Sequence, residues 1–146
     1  QRCSRSAGCR GGGRTGVCCG RYSTVWRKEA YASVKAVTLA DLPERQVSHA
    51  PQIRKKVMLE GGDLPHVTSF SQAYLGPGQV ASPHAHEDMY EVFFVEAGAG
   101  TIRVDGESYP LVPGACVAVA PGEVHEVANT GAAELVLTYF GVEVGE

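Results

Sequence analysis

The sequence predicts an all-β protein, a sandwich or closed barrel of short antiparallel strands. From Val34 onward, short runs rich in β-branched and aromatic residues recur, punctuated by Gly and Pro. No segment sustains the 3.6-residue apolar period of an amphipathic helix. Between two of the runs sits Asp105-Gly106, a pair suited to the two positive-φ positions of a type I′ hairpin turn.

In chain order the predicted strands are Val34 to Leu39, Ile53 to Leu59, Val67 to Leu75, Met89 to Glu96, Thr101 to Asp105, Glu107 to Leu111, Cys116 to Val119, Val124 to Ala128 and Glu134 to Val142. Leu42 to Gln52 carries two prolines, Pro43 and Pro51, and reads as an irregular lead-in. The stretch Leu39 to Pro43 has room for one helical turn. The run Met89 to Glu96 is apolar on both faces, with Met89, Glu91, Phe93 and Val95 on one side and Tyr90, Val92 and Phe94 on the other. Such a strand implies cover from a second sheet or a second subunit, and a homodimer is expected. Gly76, Gly78, Gly98, Gly100, Gly114 and Gly122 fall at strand ends, where a positive φ or a close backbone approach is expected.

Charge divides the 146-residue chain unevenly. Residues 1–28 hold seven basic residues and no acid, and the remainder carries a net charge of −10. An acidic body lacks the clustered Lys and Arg on which nucleic-acid binding rests, so no such partner is expected. The apolar runs are too short for a bilayer span, and no membrane association is expected.

Residues 1–30 are rich in Arg, Gly, Ser and Cys without an apolar period and read as disordered. Two readings stand side by side, an organellar targeting segment or a fragmentary or mis-called start. The location follows, cytoplasmic or, with a transit peptide, plastid or mitochondrial. Cys3, Cys9, Cys18 and Cys19 have a Cys-x5-Cys-x8-Cys-Cys spacing that matches no usual zinc pattern. Tyr22 and Trp26 in the same stretch suit stacking on single strands but read as incidental. The body holds a single cysteine, Cys116, read as a small buried hydrophobe. Residues 31–66 then form a lead-in and residues 67–146 the core of the fold.

Candidate chemistry centres on His84-Ala85-His86, whose imidazoles project from one face of an extended strand, with Glu91 five residues on. His125, beyond Pro121-Gly122, is the candidate fourth ligand, because antiparallel pairing brings distant strands alongside. Imidazoles with one carboxylate suit one divalent transition metal, iron, manganese, zinc, copper or nickel, better than calcium or magnesium. His49 and His66 stand outside this pattern and read as core or surface histidines. Glu87 and Asp88 adjoin His86, but charges in a connecting loop read as solvated. Arg54-Lys55-Lys56 suits an anionic substrate or, better, the protective charges of an edge strand. Asn129 is a candidate either for a hydrogen bond near the site or for capping the turn Asn129-Thr130-Gly131.

The spacing Gly78-x5-His84-x-His86-x4-Glu91-x6-Gly98 resembles the first motif of the cupin superfamily at every fixed position. Gly114-x5-Ala120-x-Gly122-x2-His125-x3-Asn129 resembles the second, with Ala120 where the family has Pro. That departure touches a turn and leaves the ligand positions intact. The resemblance covers roughly Val67 to Val142 and is closest to small single-domain cupins. It implies a double-stranded β-helix, or jelly-roll, barrel, with metal held by His84, His86, Glu91 and His125, and it also implies a dimer.

Two classes of function follow. One is a metal-dependent enzyme of dioxygenase, isomerase or lyase type acting on a small oxygen-rich molecule, with an oxygenase or isomerase preferred. The other is a non-catalytic metal or small-ligand binding module. No Gly-x-Ser-x-Gly nucleophile elbow and no Walker-type loop occurs, so neither nucleophilic hydrolysis nor nucleotide hydrolysis is expected.

Overall fold

Strand alternation decides which side chains meet, and in the computed structural model, which describes residues 34–145, it produces two antiparallel sheets. After a 3₁₀ turn at Leu39–Asp41 come strands β1 (Arg45–Val47), β2 (Ala50–Leu59), β3 (Val67–Leu75), β4 (Val80–His84), β5 (Met89–Ala97), β6 (Gly100–Val104), β7 (Glu107–Leu111), β8 (Cys116–Val119), β9 (His125–Ala128) and β10 (Leu135–Glu143). The six-stranded sheet has the order β1-β2-β3-β10-β5-β8 and the four-stranded sheet the order β4-β9-β6-β7. This is the jelly-roll arrangement. Side chains of alternate parity from both sheets, among them Ile53, Leu75, Val95, Ile102, Leu111, Val119, Val127, Leu135 and Leu137, fill the space between them.

The central strand of the larger sheet is β10. Leu135 and Leu137 lie opposite Leu75 and Ala73 of β3, and Leu137 also lies opposite Val95 of β5. The next inward position, Tyr139, faces Ser71 on one side and Phe93 on the other. One step further, Gly141 stands opposite Glu91. The interior thus changes from leucines to an aromatic pair to a carboxylate along its length.

The Asp105-Gly106 hairpin forms as expected, with both residues at positive φ (47° and 91°). Gly98 combines φ 82° with a backbone approach so close that a Cβ would overlap Glu134 and Leu135.

The lead-in differs from its expectation. No strand forms over Val34 to Leu39, and the supposedly irregular Leu42 to Gln52 contains β1 and the start of β2, joined by a tight turn at Ser48-His49. The prolines are accommodated because Pro43 precedes β1 and Pro51 stands near the start of β2. Nor is the Arg54-Lys55-Lys56 segment an edge. Short β1 covers it, and Arg54 pairs with Glu44 and Glu134 (2.8 and 2.6 Å) while lying over the Tyr74 ring. β4 was absent from the predicted strands, since Ser82-Pro83 breaks its apolar pattern.

Cys116 is exposed rather than buried. It pairs with Phe94 on the outer surface of the sheet, and the parity of β8 turns Val117 and Val119 inward instead. The features expected of residues 1–30 lie outside the described residues. No helix among the described residues is long and apolar enough to cross a membrane.

Candidate metal centre

His84 ends β4 and His125 opens β9, and the register pairs them directly across the smaller sheet. Glu91 reaches the same point from β5 in the other sheet, so the cluster bridges the two layers. His86 lies beyond the end of β4, not on an extended strand. Its loop is fixed by the Gly122 N–H, which donates to the His86 carbonyl at 2.8 Å. The Pro121-Gly122 turn is closed in its turn by the Ala120 N–H donating to Glu123 Oε2 at 2.7 Å. The turn of the second motif therefore holds the first motif's His86-bearing loop in place.

One donor atom from each of His84, His86, Glu91 and His125 lies within 4.8 Å of the others. Glu91 Oε2 is 3.0 Å from His125 Nε2 and 3.4 Å from His86 Nε2. Glu91 and His125 are buried, at 8% and 1% exposure, where an unpaired carboxylate would be costly. His84 Nδ1 lies 2.8 Å from the Ser82 carbonyl. A proton donated there leaves Nε2 with the free lone pair that a metal needs. Geometry and donor chemistry together fit a divalent transition metal.

The electrostatics divide the imidazoles. Burial and the Ser82 contact act in opposite directions on His84, and burial prevails, lowering its pKa. Burial also disfavours charge on His125, but the hydrogen bond to Glu91, with smaller contributions from Glu123, raises its pKa overall. Without a metal, His125 thus keeps its proton to higher pH than a free imidazole, with its Nε2 3.0 Å from Glu91 Oε2.

The cluster opens on a cavity of about 50 Å³ lined by His49, Glu91, His84, Phe93, Tyr139 and an apolar interior. Sequence reasoning set His49 aside, yet the β1–β2 turn carries its ring to 4.0 Å from that of His84. The turn residues Ser48-His49 include neither Gly, Asn nor Asp, so only the weak signal of Ser48 marks the hairpin that delivers it. Burial, then neighbouring His84, lowers the His49 pKa. Tyr139 stacks on Phe93 at 6.0 Å, and burial, then the charge of Glu91, pushes its pKa up to about 12. Of the two faces of β3 that sequence left unassigned, Ser71 and Ala73 point inward and are buried.

Other candidates lie elsewhere. Glu87 and Asp88 are exposed. Asn129 caps its turn: its Nδ2 donates to the Leu75 and Ala133 carbonyls (2.7 and 2.8 Å), and Gly131 N–H donates to its Oδ1 (2.9 Å). His66, at φ 61°, occupies the turn before β3.

Comparison with known proteins places this geometry. A model of the cupin domain matches residues 72–141, a span that contains all four clustered residues. The chain belongs to the cupin superfamily. An oxalate-binding protein of Thermotoga maritima is 30% identical to this cupin over 66 residues, 45% of this chain and 54% of that protein. The chain thus matches about half the length of that relative. Among solved structures, a predicted oxalate decarboxylase from Thermotoga maritima superposes with a TM-score of 0.70 at 20% identity, over 75% of this chain and 99% of its own. A sugar phosphate isomerase of the cupin superfamily from Silicibacter pomeroyi gives 0.64 at 22% identity, over 75% and 76%. At these identities the structures speak for the fold.

Proposed function

We propose that this cupin is a metal-dependent enzyme that acts on a small oxygen-rich molecule by dioxygenase, isomerase or lyase chemistry. The observation that carries this reading is the convergence of His84, His86, Glu91 and His125 beside a cavity that reaches the barrel interior. The four side chains would hold one divalent ion, iron, manganese, zinc, copper or nickel, which supplies Lewis acidity or oxygen activation when bound. The chain's own groups do the rest. The apolar walls exclude water, and His49 and Tyr139 offer hydrogen bonds to a ligand at the metal.

A second reading, a binding module without turnover, draws support from the relative named as oxalate-binding. Turnover of small oxygen-rich acids and sugars by the metal-loaded chain, abolished in His125→Ala, is the expected result. Ligand-dependent thermal stabilisation with no product from any of them would favour the binding module.

We also infer a homodimer. Tyr90 and Phe94 are 47% and 40% exposed on the outer face of β5. Beside them lie Val142 and Val92, with Phe140 and Phe70 in edge contact at 6.2 Å, a continuous apolar surface of the kind that a partner covers.

A further inference from the structure

The cavity's walls carry a preference of their own. Beyond the clustered His84 and Glu91, its polar lining among the described residues consists of His49 and Tyr139, with no Lys or Arg among them. The other walls are apolar, chiefly Ile53, Ala73, Leu75, Ala81, Val127 and Leu137. His49 is exposed to solvent while lining the cavity, so it stands at the opening, and buried Leu75 and Leu137 mark the inner end. A volume of about 50 Å³ has room for roughly four water-sized groups.

Charge then discriminates among ligands. A divalent ion held by three neutral imidazoles and one carboxylate keeps a single positive charge. A monoanion brings the site to neutrality, whereas a dianion leaves a net negative charge beside apolar walls, with no cation among the described lining residues to offset it. A sugar phosphate meets the same obstacle and is also too large for the inner space.

Resting on the proposed metal site, we propose that the cavity selects a small monoanionic oxygen chelator, such as a short-chain 2-oxo acid, whose alkyl tail occupies the space between Ala81 and Leu137. Chelation presents the carboxylate and 2-oxo oxygens to the metal, and the tail lies against Ala73, Ala81 and Leu137. Tyr139 contributes a neutral hydroxyl donor. The doubly charged oxalate, which has no tail, is the disfavoured chelator.

The test uses the full chain loaded with cobalt(II), whose visible absorption reports both retention of the ion and a change in its ligands. Titration with sodium 2-oxobutanoate and sodium oxalate should give tighter binding of 2-oxobutanoate by about tenfold or more, because the buried excess charge and the lost tail contact act together. Ala81→Leu, and separately the milder Ala81→Val, should retain cobalt and reduce this preference, with Leu the stronger. Retained cobalt with oxalate bound equally or more tightly overturns the proposal. So does a preference unchanged in both variants. Failure of the wild-type chain to take up cobalt would instead sink the metal reading beneath it.

Discussion

The two faces of β5 reverse the usual assignment of polar and apolar side chains. The inward face buries a carboxylate, Glu91, between Phe93 and the histidines, and the outward face exposes Tyr90 and Phe94. In a strand chosen only for folding, the carboxylate would face water and the aromatics the core. Each reversal is what a surface that meets something other than solvent would show. Inside, three imidazoles converge on the carboxylate and make a metal the natural counterion. Outside, the aromatic patch stands exposed, and a second copy of the chain is its inferred cover.

The largest effect should come from the outer face. Tyr90→Glu combined with Phe94→Glu places like charges at the inferred interface and should convert a dimer to a monomer in sedimentation at micromolar concentration, with metal content unchanged. A wild-type chain that sediments as a monomer would break the comparison on this side.

A smaller effect sharpens the inner face. The His125 pKa is raised from 6.5, so its proton is present below that value and lost as pH rises through the raised pKa. The stability that the pair gives the metal-free chain fades in the same window. Metal uptake must displace this proton, so apparent affinity should climb about tenfold per pH unit until His125 titrates and then level off. His84, whose pKa burial lowers, gives up its proton at lower pH than His125. Calorimetry in buffers of different ionisation enthalpy counts the released proton directly. Affinity that is flat from about pH 6 to about pH 8 would contradict the raised His125 pKa.

How far sequence reaches follows from the range of each signal. Glu107 to Leu111 and Cys116 to Val119 match their strands residue for residue, because period-two patterning and turn residues are local. The parity of β5 was legible for the same reason, and the clustered residues stood out through motif spacing. Facing across the barrel was not legible. Whether Ser71 or Tyr74 points inward depends on which sheet lies opposite β3, and Cys116 appeared buried only while its strand was considered alone. His49 was invisible for a related reason, since it reaches His84 through a hairpin whose prolines suggest irregular chain and whose turn lacks the customary residues. Long-range placement, not local propensity, supplied what was missing.

The most direct test of the metal centre is elemental analysis of the chain purified without chelator or an immobilised-nickel column, beside His84→Ala and His125→Ala. The account predicts about one equivalent of a first-row transition metal in the wild type and its loss in both variants, since each removes one of four ligands. A wild-type chain that carries no metal and gains no thermal stability when iron, manganese, zinc, copper or nickel is added would contradict it.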